Sequence, residues 1–233
     1  MLTIFVGLPV FLALLVDPQQ RAAPVFQAVG LGVLFDLPFP PFRMLMPALF
    51  IMTLIILSVL LLDRSFDKRL LWNWRDAKPD LFRICLWWLV GLVFAVVFVS
   101  LVWPDQLFSF PRRAPQVWAV VMLLYPWLSA FPQEITHRAF FFHRYRCILP
   151  GRWQMILVNA LVFCLLHVVF WNWIALGLTL VGGVLFAYTY DRTRSTLAAT
   201  IEHALYGNTM FTVGLGSFLF AGALNTDVPP VSP

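Results

Sequence analysis

Charged residues are scarce in this chain. Asp, Glu, Lys and Arg make up only 12% of its 233 residues, whereas a soluble domain averages about 25%. Hydrophobic residues make up 61%, and a soluble core of this length cannot bury so much apolar surface. The composition therefore excludes an ordinary soluble enzyme and predicts an integral membrane protein.

Cysteine is also rare. Cys85, Cys147 and Cys164 are an odd number and lie in or near apolar segments, which favours free buried thiols over a disulfide framework. No HExxH pattern is present. Zinc accepts His and Glu ligands but is therefore disfavoured, and we expect no cofactor. The net charge of +5 indicates membrane topology rather than nucleic-acid binding, because no basic and aromatic patch lies outside the apolar segments.

Long uncharged runs predict membrane spans. A bilayer core about 30 Å thick needs about 20 helical residues, and the runs Leu45 to Leu62 and Ile84 to Trp103 meet this length. We predict an all-α, polytopic membrane helix bundle. Residues 1–83 would form amino-terminal helices and loops, 84–222 the core, and 223–233 a disordered tail. The roughly seven transmembrane helices are predicted at 2–16, 45–62, 84–103, 116–142, 153–171, 174–190 and 197–222.

Loop charges predict the orientation. The loops after the second, fourth and sixth predicted helices carry eleven Lys and Arg residues, and the opposite loops carry four. Because positive loops stay in the cytoplasm, this split places the amino terminus there. The eleven are Arg64, Lys68, Arg69, Arg75, Lys78, Arg83, Arg144, Arg146, Arg152, Arg192 and Arg194, and the four are Arg21, Arg43, Arg112 and Arg113.

A few ionisable residues lie inside apolar segments. The only two glutamates, Glu134 and Glu202, are both there, and so are His167, His203 and Arg138. Ionisable groups within a membrane are costly and mark functional sites, facing the bundle interior or a wet cavity. The alternative is that they only hold helices together. A carboxylate with imidazoles suits general-base activation of water, and a second imidazole can stabilise an oxyanion.

Glu134 and Arg138 are four residues apart and share one helix face. An ion pair between them would keep Glu134 ionised and oriented, although a purely structural pair fits equally well. Pro132 could begin a fresh helix with Ser129 or Ala130 near its cap. Glu134 would then lie in a first turn, where the helix dipole favours an anion.

A purely structural role is an alternative for each histidine. His167 follows Phe163 by one helical turn, so that the aromatic ring can restrict the imidazole, but a hydrogen-bonded core histidine is also consistent with this position. His203 has the same ambiguity. We expect His137 and His143 near the cytoplasmic interface, without a catalytic role.

Three motifs in this order resemble the CAAX prenyl endopeptidase and bacteriocin-processing family, known as CPBP or ABI. The family pattern is Glu-Glu-x-x-x-Arg, then Phe-x-x-x-His, then His-x-x-x-Asn, on successive membrane helices. The resemblance covers roughly residues 85–222. The corresponding segments here are Gln133-Glu134-x-x-x-Arg138, Phe163-x-x-x-His167 and His203-x-x-x-Gly207.

The resemblance implies an intramembrane endopeptidase of membrane-associated or lipid-modified proteins and peptides, CAAX processing included, in the bacterial inner membrane. It implies that a glutamate and the first histidine activate water while the second histidine and the asparagine stabilise the tetrahedral intermediate. The candidate catalytic residues are Glu134, His167 and His203; the supporting residues are Arg138, Gln133 and Asn208; no metal site is expected.

Two positions depart from the family pattern. Gln133 stands where the family has its first glutamate, the usual base, so Glu134 would have to take that role. Gly207 stands at the asparagine position, and Asn208 is one residue further along. A non-catalytic binding or immunity protein of the same fold is therefore the main alternative. A small transporter is less favoured because no inverted repeat is visible. Small residues would allow close helix packing at Gly177, Gly182, Gly183, Gly207, Gly214 and Gly216.

Overall fold

The computed structural model describes residues 3–16, 23–29 and 45–219, and these ranges contain helices and turns but no strand. The prediction of an all-α membrane helix bundle is confirmed. The predicted disordered tail, 223–233, lies outside the described residues. The main helices are α1 (Leu8–Val16), α2 (Leu45–Leu62), α3 (Leu81–Val102), α4 (115–145), α5 (Arg152–Leu166), α6 (Trp173–Thr193) and α7 (Thr196–Val213).

Shorter helical segments connect them. α-Helical turns lie at Ala23–Ala28, Trp74–Ala77, Ser109–Arg113 and Gly216–Leu219, a π-helical turn at Thr3–Gly7, and 3-10 turns at Lys68–Leu71, Lys78–Asp80, Pro104–Gln106 and His167–Phe170.

Four helices of the described chain are long and apolar enough to cross a membrane. They are Leu45–Leu62, Trp74–Val102, Arg152–Phe170 and Trp173–Thr193, and Phe5–Leu15 is a shorter apolar helix. The remaining long helices, α4 and α7, contain the fully buried charged side chains Glu134, Arg138 and Glu202. These two helices are less apolar because they carry the polar groups of the bundle interior.

The helices differ in how deeply they lie in the bundle. Only 17% of the most apolar stretch of α2, and likewise of α3, is buried, compared with 39% in α5 and α6. Leu54 on α2 and Phe94 on α3 are among the large apolar side chains that stay exposed. α2 and α3 are therefore peripheral helices whose outer faces suit contact with lipid.

Close packing of α5 against α6 depends on one glycine. A Cβ atom at Gly183 would lie 3.0 Å from the Cα of Ala160 and 3.1 Å from its carbonyl oxygen. The predicted close approach is thus confirmed at Gly183. It is wrong for Gly177, where nothing lies within 4 Å of such a Cβ.

Polar contacts connect the predicted cytoplasmic loops with each other at one end of the bundle. His143 Nε2, near the end of α4, lies 3.0 Å from Oδ2 of Asp63, just after α2. Asp80, just before α3, pairs with Arg83 at 2.6 Å and with Arg192 near the end of α6 at 2.7 Å. These contacts fit the alternation of basic loops, while the cytoplasmic location of that end stays a prediction.

Helix α4 contains Pro126 and Pro132, which predict a kink or a break. The helix is not broken: it continues through 115–145, with π-helical segments at Pro126–Ala130 and Ile135–Phe140. A proline removes a backbone donor and collides with the preceding turn, and a π segment accommodates such a defect without ending the helix.

The prediction that Pro132 begins a fresh helix is therefore wrong. Ala130 has φ −62° and ψ −55°, which are helical angles, and Ser129 lies in the preceding helical turn. Because the backbone is helical on both sides of Glu134, no free helix start stabilises its charge.

Candidate active site

Glu134 lies at the centre of the buried polar cluster. Its Oε2 is 3.1 Å from Nε of Arg138, one turn further along α4. Its Oε1 is 2.8 Å from Nδ1 of His203 on α7. Glu134 and Arg138 are both 0% exposed. A carboxylate buried this deeply needs neighbours of opposite charge or with hydrogen to donate, and Glu134 has one of them at each oxygen.

His203 is held through both ring nitrogens. Nδ1 contacts Glu134, and Nε2 lies 3.0 Å from the hydroxyl oxygen of Tyr125 on α4. The ring also stacks on Phe186, with centroids 4.5 Å apart and an interplanar angle of 16°. A neutral ring would donate from Nδ1 and accept from Tyr125, whereas a protonated ring would donate from both nitrogens.

Phe163 packs against three imidazoles. Its ring centroid lies 5.3 Å from that of His137, 4.8 Å from that of His167 and 5.6 Å from that of His203. The guanidinium carbon of Arg138 lies 4.7 Å from the same centroid, a cation–π contact. The aromatic residue of the Phe-x-x-x-His motif therefore orients more of the site than the single histidine that follows it.

His167 ends helix α5. Its Nδ1 lies 2.8 Å from the carbonyl oxygen of Phe163, so Nδ1 carries the proton of this hydrogen bond and a neutral ring keeps its lone pair on Nε2. The resemblance pairs the glutamate with this first histidine. In the structure the Glu134 carboxylate instead accepts from the second one, His203.

His137, predicted near the cytoplasmic interface, is buried inside the bundle, and its position relative to that interface stays a prediction. It is 1% exposed, and its Nδ1 lies 3.1 Å from the carbonyl oxygen of Gln133. The four-residue spacing puts Gln133 and His137 on one face of α4. This spacing is the sequence feature that could have placed His137 next to the first motif. His143 lies at the end of α4 beside Asp63, at the end of the bundle that is predicted to be cytoplasmic.

A wide cavity of about 1700 Å³ lies beside this cluster, and most of its wall is apolar. Glu134 and Arg138 are not part of the wall that the described residues form; they lie behind it. A cavity of this size admits an extended peptide or an apolar chain. The polar side chains of the wall that concern the site are Tyr125, Ser129, Gln133, His137, His167 and His203.

Gln133 faces the cavity, and Glu134 does not. The Gln133 Nε2 donates to the Ser129 hydroxyl at 2.9 Å. Its Oε1 is buried and has no hydrogen-bond partner among the described residues. Successive residues of a helix point about 100° apart, so the amide and the carboxylate of this motif cannot occupy the same wall.

Asn208 does not join the cavity wall. Its Nδ2 donates to the carbonyl oxygen of Met122 at 3.2 Å and thereby ties α7 to α4. Gly207 has a different consequence, because a Cβ at that position would overlap the ring and hydroxyl of Tyr125. Sequence reasoning missed Tyr125 altogether, since it belongs to none of the three motifs.

The second glutamate lies apart from the first. Glu202 is 0% exposed, and its Oε1 is 3.9 Å from a terminal nitrogen of Arg83 on α3. It therefore faces α3 rather than the cavity. Within the described ranges, no three His, Cys, Asp or Glu side chains are grouped to hold a metal ion.

Comparison with known families finds a match in the central segment of the chain. A family model described as type II CAAX prenyl endopeptidase Rce1-like matches residues 115–209. No curated protein and no solved structure matches the chain. The matched segment runs from the start of α4 into α7 and includes all three motifs, while the predicted core boundaries, 84–222, stay a prediction. Residues 115–209 of this membrane helix bundle are therefore similar to the Rce1-like, type II CAAX prenyl endopeptidase family.

Proposed function

We propose that this protein is an intramembrane endopeptidase that hydrolyses peptide bonds of membrane-associated proteins or peptides, CAAX-type substrates included. One observation carries the proposal. The imidazole of His203 is held by a buried carboxylate at 2.8 Å and lies in the wall of a 1700 Å³ cavity, together with His167. The family domain supports a peptidase in general, and the residue roles are inferred from the geometry.

His167 is the proposed general base. A water molecule in the cavity gives a proton to Nε2 of His167, since Nδ1 is committed to the Phe163 carbonyl. The water oxygen attacks the scissile carbonyl carbon. When the carbon–nitrogen bond breaks, the same proton passes to the leaving nitrogen and His167 is neutral again. Such base and acid catalysis contributes about 10²–10⁴-fold.

Glu134 is proposed to act through His203. It is fully buried and lies behind the cavity wall, so a carboxylate touching the water directly is the less favoured role. Its negative charge orients His203 and stabilises the protonated ring, which in turn favours negative charge on the carbonyl oxygen. Arg138, 3.1 Å away, supplies the positive charge that balances the buried carboxylate.

The two other supporting residues have separate roles in the proposal. Gln133 lies in the cavity wall, and a rotation of its amide would turn the buried, unpaired Oε1 toward the cavity, where it would accept a hydrogen bond from the attacking water and align it. Asn208 holds α7 against α4 through Met122 and does not contact substrate.

The apolar cavity suits a substrate with a lipid chain or an apolar carboxyl terminus. The proposal places the protein in the bacterial inner membrane with the amino terminus in the cytoplasm, supported by the eleven-to-four split of loop charges. The substrate bond would then lie inside or at the edge of the bilayer.

The test is peptide cleavage by the purified, detergent-solubilised protein. A mixed pool that includes prenylated CAAX peptides is incubated with and without a chelator and analysed by mass spectrometry. We expect defined products in both lanes, and none from His203→Asn, which controls for contaminating proteases. Products from both proteins, or none from well-folded wild type, would contradict the proposal.

A non-catalytic binding or immunity protein is the second candidate, favoured by the amide of Gln133 at the cavity wall. If that amide has abolished catalysis, wild type cleaves nothing while Gln133→Glu gains cleavage. If His167 is the base, wild type cleaves, and Gln133→Glu changes kcat by less than about tenfold. A transporter would instead show Glu134-dependent flux in proteoliposomes without any cleaved product.

A further inference from the structure

The hydroxyl of Tyr125 lies at the site although no motif includes it. Its oxygen is 3.0 Å from Nε2 of His203, and the side chain is part of the cavity wall. The ring is fixed by edge-on contacts with His203, at 6.0 Å and 78°, and with Phe211, at 5.3 Å and 73°. Tyr125 is thus the polar group between His203 Nε2 and the cavity.

Gly207 makes this placement possible. It follows His203 by one turn of α7, on the face that meets α4. Any side chain at position 207 would overlap the Tyr125 ring, so Tyr125 fills the space that such a side chain would take. The glycine and the tyrosine form a matched pair across the α4–α7 contact.

We propose that the Tyr125 hydroxyl is the direct donor to the oxyanion of the tetrahedral intermediate. This inference rests on the proposed peptidase function. His203, protonated and paired with Glu134, donates its Nε2 hydrogen to the Tyr125 oxygen. The Tyr125 hydrogen is then free to point into the cavity, and a phenol whose oxygen accepts from an imidazolium is a stronger donor.

The reaction balances without any net change at Tyr125. As water adds, the π electron pair of the scissile carbonyl moves to its oxygen, and the Tyr125 O–H donates to that oxygen. When the carbonyl reforms, the pair returns and the leaving nitrogen takes the proton held by His167. Tyr125 keeps its proton throughout, so it stabilises charge rather than transferring a proton.

The test is the kinetics of Tyr125→Phe on a peptide that wild type cleaves. The phenylalanine keeps the ring against Phe211 and Gly207 and removes only the hydroxyl. We expect kcat to fall about 10²–10³-fold, as when one oxyanion donor is lost. KM should stay within about threefold, because the bond forms only in the transition state.

Thr212→Val is the matched control. It removes the 3.1 Å hydrogen bond from Trp118 Nε1 to Thr212 Oγ1, which also joins α4 to α7, and neither residue is part of the cavity wall. We expect kcat of the control to equal that of wild type and both variants to have similar thermal unfolding midpoints.

The outcomes separate the two proposals. An active wild type with Tyr125→Phe within about threefold in kcat, or affected only in KM, overturns the role of Tyr125 and leaves the peptidase proposal intact. The role of Tyr125 is also overturned if Tyr125→Phe loses activity and has a lower unfolding midpoint than Thr212→Val. The hydroxyl would then be structural. A wild type that cleaves no peptide overturns both.

Discussion

The Nδ1 atom of His203 lies 2.8 Å from Oε1 of Glu134, across 69 positions of the chain. This contact joins α4 to α7 and couples the first motif to the third. The second motif supplies the ring of Phe163, which packs against three imidazoles. The site is thus organised before any substrate binds.

Replacing Glu134 with glutamine should abolish measurable cleavage. The amide cannot stabilise a protonated His203, and loss of the orienting carboxylate of a catalytic histidine lowers kcat by about 10⁴-fold. Size-exclusion profile, thermal unfolding and peptide cleavage are measured together, because Arg138 loses its charge partner.

Glu202→Gln is the control for this substitution. Glu202 is an equally buried carboxylate that also has an arginine as its neighbour, but it faces α3 rather than His203. We expect it to retain cleavage. An active Glu134→Gln protein would disprove the role assigned to Glu134.

His167→Asn should lower kcat by about 10²–10⁴-fold, the usual contribution of a general base. His137→Asn is compared with it, because His137 also packs on Phe163, lies in the cavity wall and bonds a carbonyl one turn back. We expect His137→Asn to lower kcat by less than about tenfold. A larger loss of kcat in His137→Asn than in His167→Asn would indicate that His137 is the general base.

Gly183→Val should destabilise the bundle. The new side chain would press on the backbone of Ala160, where a Cβ alone already lies 3.0 Å from the Cα. Overpacking of this kind costs about 1–3 kcal/mol. Gly177→Val, in open space on the same helix, should have almost no effect on thermal unfolding. Equal midpoints for the two variants would show that α5 and α6 can separate at no cost.

Acid should weaken the contact between the α2 end and α4. Hydrogen bonds from Ser65 and from His143 hold the pKa of Asp63 below its ordinary value. The stabilisation is therefore present above the unfolded pKa of about 4 and is lost as the pH falls through the lower folded value. Because both side chains are partly exposed to solvent, the effect is small.

The measurement is the unfolding midpoint of wild type and Asp63→Asn between neutral and acidic pH. The unfolding midpoint of wild type should exceed that of the variant near pH 7, and the difference between the two midpoints should shrink below about pH 4. A difference that stays constant over the whole range would show that the charge of Asp63 contributes nothing.

The amino-acid sequence by itself determined the helices and the composition of the site. Helical spans follow from uncharged runs because a bilayer leaves no other way to satisfy the backbone. Glu134, Arg138, His167 and His203 could be selected because ionisable groups are costly in apolar segments. The order of the motifs pointed to the same family whose model matches residues 115–209.

Only the tertiary structure decided which of these groups meets the cavity. Helical periodicity separates Gln133 from Glu134 by about 100°, but the packing of the other helices determines that the amide faces the cavity and the carboxylate faces α7. The burial of His137 and the approach of Tyr125 to Gly207 are likewise set by the contact of α4 with its neighbours. Local patterns record the angle between side chains along one helix, not the position of the next helix.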